Sequence, residues 1–285
     1  MEINKILHQI EVINKLKLEK NFTEYDLKAL RALPFYNGIY ELIFEKIPFY
    51  MININNDDSI PLKYTWRNGY EEHSLKIWFK LSRTSNELLL DIGAHTGIYS
   101  IIALLNNVSH NVVSFEPYYL NFARLIDNLK INNKKTSMCF LAAVSDKNGN
   151  CKFKIDAPNY SKTQGGKISE DGQLIVPSVR IDDMKFTKKI RAIKIDTEGH
   201  EYPALEGSKQ VIDNHRPEII FEINKKSFDS VMFLLDNYKY EYFLIDEENK
   251  TLEKVSKIDQ NLFDNKEGIN CVATQNYKSL MDIIS

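Results

Sequence analysis

From Leu88 to Ile92, four apolar residues and one acid run straight into Gly93-Ala94-His95-Thr96-Gly97. Beyond that turn, apolar side chains recur at helical spacing at Tyr99, Ile101, Ile102, Leu104 and Leu105. The pattern predicts a buried strand, a tight turn and a helix. The alternation continues along the chain. Short apolar runs predict strands at 88–92, 111–116, 138–144, 192–196, 217–223, 241–245 and 270–275. Amphipathic stretches near 98–106, 118–131, 201–214 and 226–237 predict the helices between them. Strands that alternate with helices in this way make an α/β fold, a mostly parallel sheet with helices on both faces.

Two stretches depart from this rhythm. Residues 1–45 read as helical, with Ile3, Ile6, Leu7, Ile10 and Ile13 on one face and charges of both signs between them. Such a helix suits a cap on the core or a homodimer contact better than a membrane surface. Ile47 to Ile54 reads as a strand, Asn55 to Asp58 as a turn and Trp66 to Leu81 as a helix. Residues 1–80 therefore form an extension to a main domain over 81–285. Within about 151–180, Cys151 to Ile155 and Gln173 to Val176 read as an inserted pair of strands. Between them, Ala157 to Gly172 is polar and aperiodic, the character of a lid or binding loop.

The glycine turn narrows the chemistry. Glycines at a strand-to-helix junction allow a ligand to approach backbone N–H groups. A dinucleotide fingerprint needs Gly-x-Gly-x-x-Gly, and a phosphate loop needs Gly-Lys-Ser/Thr; neither is present. Asp91 would repel phosphate and suits a ligand with a cationic end. The next strand ends in Glu116-Pro117, and an acid there can accept both hydroxyls of a ribose. A cationic end joined to a ribose describes S-adenosylmethionine.

The chain resembles the FkbM-type S-adenosylmethionine-dependent methyltransferases. The resemblance lies in Asp91-Ile92-Gly93-Ala94-His95-Thr96-Gly97, Ser114-Phe115-Glu116-Pro117 and Ile193-Lys194-Ile195-Asp196-Thr197-Glu198-Gly199-His200-Glu201. Leu205-Glu206-Gly207 and Arg216-Pro217-Glu218-Ile219-Ile220-Phe221-Glu222 extend it over roughly residues 60 to 245. It implies a Rossmann-like, seven-stranded, mostly parallel sheet. It also implies that S-adenosylmethionine is held by Asp91, Gly93, Ala94, His95, Thr96, Gly97, Tyr99, Ser100, Glu116, Pro117 and Asp196. The adenine would lie against Ala143 and Val144, and Glu71 would reach the cofactor from upstream. S-adenosylhomocysteine would be the product.

Asp196-Thr197-Glu198-Gly199-His200-Glu201 follows an apolar strand and opens a helix, so Asp196 stands at the strand's carboxyl end, where ligands bind in such sheets. Asp196 and Glu198 are candidates for acceptor binding or catalysis. His200 is a candidate general base, having an ordinary pKa suited to taking a hydroxyl proton. Glu222, at the end of the next strand, adds another acid. The group could seat Mg²⁺ or bind sugar hydroxyls, and the second is favoured. Lys194, a lysine inside an apolar strand, is unusual.

Composition constrains partners. Lys plus Arg (37) nearly balances Asp plus Glu (39), and no basic, aromatic-interleaved stripe suggests nucleic acid. The three cysteines, Cys139, Cys151 and Cys271, are scattered, without metal-site or disulfide spacing. No apolar run reaches the ~20 residues of a membrane span, and no signal-peptide core follows Met1. The expectation is a cytoplasmic enzyme that O-methylates a hydroxyl of a sugar, glycan precursor or small metabolite. The alternatives are N-methylation on the same fold, a non-catalytic binder of the cofactor and a nicotinamide-dependent oxidoreductase.

Overall fold

The computed structural model describes residues 37–66, 69–83, 86–106, 111–136, 138–155, 166–224, 227–255 and 268–284. The helix expected over residues 1–36 and most of the loop expected at 157–172 lie outside the described residues. The chain opens with an antiparallel hairpin, β1 (Gly38–Phe44) and β2 (Ile47–Asn53). Helical spacing was expected as far as residue 45, and here the structure corrects it. Tyr40, Leu42 and Phe44 are buried and Glu41 and Ile43 exposed, a period of two. Glu45 and Lys46 make the two-residue turn with both φ positive, without the Asn-Gly signal that usually marks such a turn.

Two helices follow, α1 (Ser59–Trp66) and α2 (Glu72–Leu81), where a single helix was expected from Trp66 to Leu81. Asp58 starts α1 by accepting the Ile60 N–H at 2.9 Å. The break before α2 contains Gly69 and Glu71, both at positive φ.

The central sheet has eight strands in the order β13-β12-β14-β11-β10-β3-β4-β5. They are β3 (Leu88–Ile92), β4 (Val112–Phe115), β5 (Cys139–Phe140), β10 (Ile190–Ile195), β11 (Glu218–Ile223), β12 (Glu241–Asp246), β13 (Thr251–Val255) and β14 (Ile269–Thr274). The run β5-β4-β3-β10-β11 is parallel, and β14 pairs antiparallel with both β11 and β12. The expected seven-stranded sheet is thus eight-stranded and mixed. The added strand, β13, is a charged edge strand without a fully buried residue, so hydrophobic pattern does not reveal it.

The strand expected at 138–144 divides. Residues 139–140 pair with β4, whereas β6 (Ala143–Val144) leaves for a second sheet of order β6-β9-β7-β8. That sheet contains β7 (Gly149–Ile155), β8 (Gly166–Ile168) and β9 (Leu174–Val179), so the inserted pair of strands becomes part of four. The helices on the sheet are α3 (Ile98–Leu104), α4 (Tyr119–Ile131), α5 (Glu201–Glu206), α6 (Lys209–His215), α7 (Phe228–Asn237) and α8 (Tyr277–Ile284). One helix was expected over 201–214, but Gly207 interrupts it. A Cβ there would lie 1.9 Å from the Ser145 carbonyl oxygen, so the chain turns where it touches the β6 end.

Strand alternation divides the core. Leu88, Leu90, Ile92, Ile193, Ile195, Ile219 and Phe221 face one apolar layer. Leu89, Ala192 and Ile220 face the other, together with Leu75, Trp78, Tyr99, Ile101 and the hairpin's Tyr40, Leu42, Phe49 and Met51. On that second face, Asp91 and Lys194 continue the rows of Leu89 and Ala192. The hairpin is fastened to α4 by polar side chains. Asn128 accepts the Ile52 N–H and donates to the Thr96 carbonyl, each at 2.8 Å. Asn132 bonds both backbone groups of Tyr50, and the Arg124 guanidinium meets Asp57 at 3.1 Å.

Candidate functional site

The strand order reverses between β3 and β10, because β4 and β5 extend to one side and β11 to the other. Open α/β sheets bind ligands outside the carboxyl ends of such a pair. The glycine turn lies at this position. Gly93 has φ 80°, and a Cβ on it would stand 1.7 Å from the Asp196 carbonyl oxygen. The first glycine is therefore required by the neighbouring chain at the end of β10, and not only by a ligand. Gly97 (φ 98°) starts α3 over Leu125.

Glu116 binds the turn from beneath. Its carboxylate accepts the N–H groups of His95 and Tyr118, each at 2.9 Å, and the Asn121 amide at 3.4 Å. Burial pushes its carboxyl up to about 7, against the lowering effect of those donors. A carboxylate has about four acceptor positions, so ribose hydroxyls would compete with the long Asn121 contact.

The sign of the linkage follows from that shift. The folded-state value lies above the unfolded 4.5, so the folded form binds more protons between the two and stability falls as pH rises through that window. Comparing Glu116→Gln with the wild type removes this contribution. The wild type's stability relative to the variant is expected to drop by about 2–3 kcal/mol between pH 5 and pH 8. Urea denaturation at several pH values measures it, and a constant difference would mean that Glu116 titrates normally.

Asp91 is 1% exposed. Its Oδ2 accepts the Ser100 hydroxyl at 2.5 Å, and Ser100 shares a further hydrogen bond with Ser114. Its Oδ1 is buried without a hydrogen-bond partner among the described residues. Burial raises the Asp91 carboxyl, and Lys194 and Ser100 oppose the shift. Lys194, opposite Asp91 in the register, donates to Asp196 Oδ2 at 2.6 Å with its ammonium 4.5 Å from the centre of the Tyr99 ring. Burial alone would lower Lys194; Asp196, Glu71 and Asp91 outweigh it and hold the ammonium above its usual value. The Tyr99 hydroxyl donates to Glu71 at 2.6 Å, and burial raises the Glu71 carboxyl against the pull of Lys194. These contacts bring Glu71, Asp91, Tyr99, Ser100, Lys194 and Asp196 into one network, of which Asp91, Tyr99, Ser100 and Lys194 are buried.

Other candidates lie elsewhere. His200 Nε2 is 3.0 Å from the Ser145 hydroxyl, which also donates to Asp146. Burial lowers the His200 pKa, with Asp146 opposing. His200 thus joins the end of β6 and not the Lys194 network. Ala143 and Val144 are buried in β6. His95, at φ 50°, has its ring nitrogen 3.3 Å from the Thr96 hydroxyl. Ala94 and Thr96 are buried beneath the turn, and Pro117 follows Glu116 at its edge. Sequence reading gave no role to Glu201, although it organises the turn after β10. Its Oε1 accepts the Thr197 N–H and hydroxyl and the Gly199 N–H, which supports Glu198 at φ 56°. Its signal was an acid in the first turn of a helix, where the helix dipole favours a negative charge. Among the described residues, no group of three or more His, Cys, Asp or Glu is placed to hold a metal ion, and no helix is long and apolar enough to cross a membrane.

The sequence model of the Methyltransferase FkbM domain matches residues 91–242, more than half of the chain. The protein belongs to the FkbM methyltransferase family. Among solved structures, similarity extends to the methyltransferase FkbM of Methylobacillus flagellatus KT, at 17% identity and a TM-score of 0.44 over 74% of this chain and 52% of that one. This chain therefore spans about half of that protein. A SAM-dependent methyltransferase from Agrobacterium tumefaciens aligns at 10% identity and a TM-score of 0.46, covering 86% of this chain and 72% of its own. Precorrin-6y C5,15-methyltransferase from Geobacter metallireducens GS-15 aligns at 15% identity and 0.38, over 72% and 87%. No curated protein matches. Asp91, Glu116, Lys194, Asp196 and Glu222 all lie within the matched region.

Proposed function

We propose that this FkbM-family protein transfers a methyl group from S-adenosylmethionine to a hydroxyl of a sugar, glycan precursor or other uncharged small molecule. The observation that carries the cofactor reading is Asp91 Oδ1, a buried acceptor without a hydrogen-bond partner among the described residues at the switch point of the sheet. An ammonium is the complement such an atom lacks. Glu116 would receive the ribose, and the turn from Gly93 to Gly97 would run beside the methionine part. The cofactor supplies an electrophilic methyl on a sulfonium centre. The chain's own part is to orient an acceptor and receive its proton.

The acceptor reading rests on charge. Beyond burial, Asp196, Glu198 and Glu71 raise the Glu222 carboxyl and Asp196 raises that of Glu71, with Lys194 as the cation opposing both. Such surroundings disfavour a phosphate or carboxylate near the reacting atom and suit hydroxyls. A protonated amine is the competing acceptor that the same charge favours.

The test has two stages. Calorimetric titration with S-adenosylmethionine and S-adenosylhomocysteine is expected to give saturable one-site binding. Tritiated methyl from the cofactor is then offered to methyl glycosides, polyols and primary amines at several pH values, with label expected on the glycosides. Absence of cofactor binding would overturn the methyltransferase reading; label on amines alone would replace the hydroxyl reading with N-methylation.

A further inference from the structure

Three acids and one cation occupy the carboxyl edge of one sheet face, and only part of that set has a structural role. Ile195 and Phe221 are in register on adjacent parallel strands, so the next positions, Asp196 and Glu222, stand side by side. Glu222 shares a face with Ile220, Lys194 and Asp91 by strand alternation. Asp91 is bound to Ser100, Asp196 to Lys194 and Glu71 to Tyr99. The Glu222 carboxylate has no hydrogen-bond partner among the described residues, and it is only half-buried. On its other side the backbone closes in. A Cβ on Gly268 would fall 2.3 Å from the Glu222 carboxyl carbon, so the chain entering β14 packs closely against the end of this side chain. The unpaired, buried Asp91 Oδ1 on the same face independently marks the space before these strands as a ligand site.

We propose that Glu222 is the catalytic residue that takes the acceptor's proton, with Lys194 fixing Asp196 beside it as a positioning pair. The inference rests on the methyltransferase reading above. As the acceptor O–H bond breaks, its proton moves to a Glu222 oxygen. The oxygen lone pair forms the new O–C bond to the methyl carbon, and the methyl's bond to sulfur breaks with its electron pair returning to sulfur. Charge balances: one carboxylate and one sulfonium become a carboxylic acid and a neutral thioether.

The electrostatics fit that task. Burial first, then Asp196 and Glu198, push the Glu222 carboxyl up to about 8; Lys194 opposes them and Glu71 adds to them. Tyr70, whose own hydroxyl is raised by burial and Glu71, also faces this group. A carboxyl raised that far is a stronger base than an ordinary glutamate and becomes available as the pH rises towards 8. His200, a candidate base from sequence, has its Nε2 3.0 Å from the Ser145 hydroxyl.

Two readouts test the inference. In protein carrying ¹³C at glutamate Cδ, one resonance beyond that of Glu116 is expected to titrate near pH 8 and to vanish in Glu222→Gln. That variant keeps the side chain's shape and is expected to bind S-adenosylhomocysteine within about twofold of wild type. Its transfer to the labelled glycoside is expected to fall by ~10²-fold or more. Wild-type kcat/KM is expected to climb about tenfold per pH unit up to a plateau near 8, as for a single essential base. Glu222→Asp, which retains a shorter base, is expected to recover part of the rate. A high-pH resonance that survives in Glu222→Gln overturns the inference, as does transfer within threefold of wild type. Cofactor binding without transfer to any hydroxyl acceptor also overturns it while leaving the methyltransferase reading intact, whereas loss of cofactor binding by the wild type removes both.

Discussion

Gly93→Ala is expected to leave little folded protein at ambient temperature. The added methyl would stand 1.7 Å from the Asp196 carbonyl oxygen, far inside contact distance, and the residue would keep φ near 80°. A non-glycine residue in such a conformation costs about 1–3 kcal/mol, and forcing β3 and β10 apart costs about as much again. Together these, about 2–6 kcal/mol, reach the lower end of the roughly 5–15 kcal/mol that holds a typical domain. Gly97→Ala provides the contrast, because its methyl would meet Leu125 Cδ1, the movable end of a side chain, at 2.5 Å. Urea unfolding monitored by circular dichroism should show a far larger loss for position 93 than for 97. Equal losses would mean that the close approach of the two strands is relieved at small cost.

The second large effect concerns binding. Asp91→Asn is expected to weaken S-adenosylhomocysteine by about 1.5–3 kcal/mol, the range for a hydrogen bond to a charged group, which corresponds to roughly ten- to hundredfold in affinity. The unliganded protein should tolerate the change, since Asp91 is a raised, buried acid with one oxygen already unpartnered. Calorimetry on the folded variant measures the loss. Wild-type affinity would separate the orphaned oxygen from the ligand's ammonium and leave Asp91 only its Oδ2 contact in the Ser100–Ser114 hydrogen-bond chain.

These expectations indicate which parts of the molecule were legible in its sequence. The strand into Gly93 and the strand into Asp196 were readable because burial on both sides makes each an apolar run with sharp ends. Gly93 was read correctly as a special position, but for a partial reason. The atom it must avoid belongs to residue 196, and a single sequence does not state which distant backbone comes close. β2 was read as a strand, but β1 and the hairpin pairing were missed, because the turn uses Glu45 and Lys46 in place of Asn and Gly. Residues 138–144 look like one strand because Leu141 and Ala142 continue the apolar run, although the pairing partner changes there from β4 to β9. At the site, residue types were informative and partners were not. Lys194 looked anomalous, but its pairing with Asp196 and its place beside Asp91 depend on strand register. His200 looked catalytic by residue type, and its ring is bonded to Ser145.

Asn128 bears on how this protein can be divided. Its amide bonds the Thr96 carbonyl in the glycine turn and the Ile52 N–H of the hairpin. The hairpin precedes the region, 91–242, over which the family is recognised. A gene fragment trimmed to that region would leave Arg124, Asn128 and Asn132 facing water where β2 had been, and Leu42, Phe49 and Met51 would no longer cover the apolar layer around Ile101. The region over which the family is recognised is therefore smaller than the unit whose side chains pack and bond together.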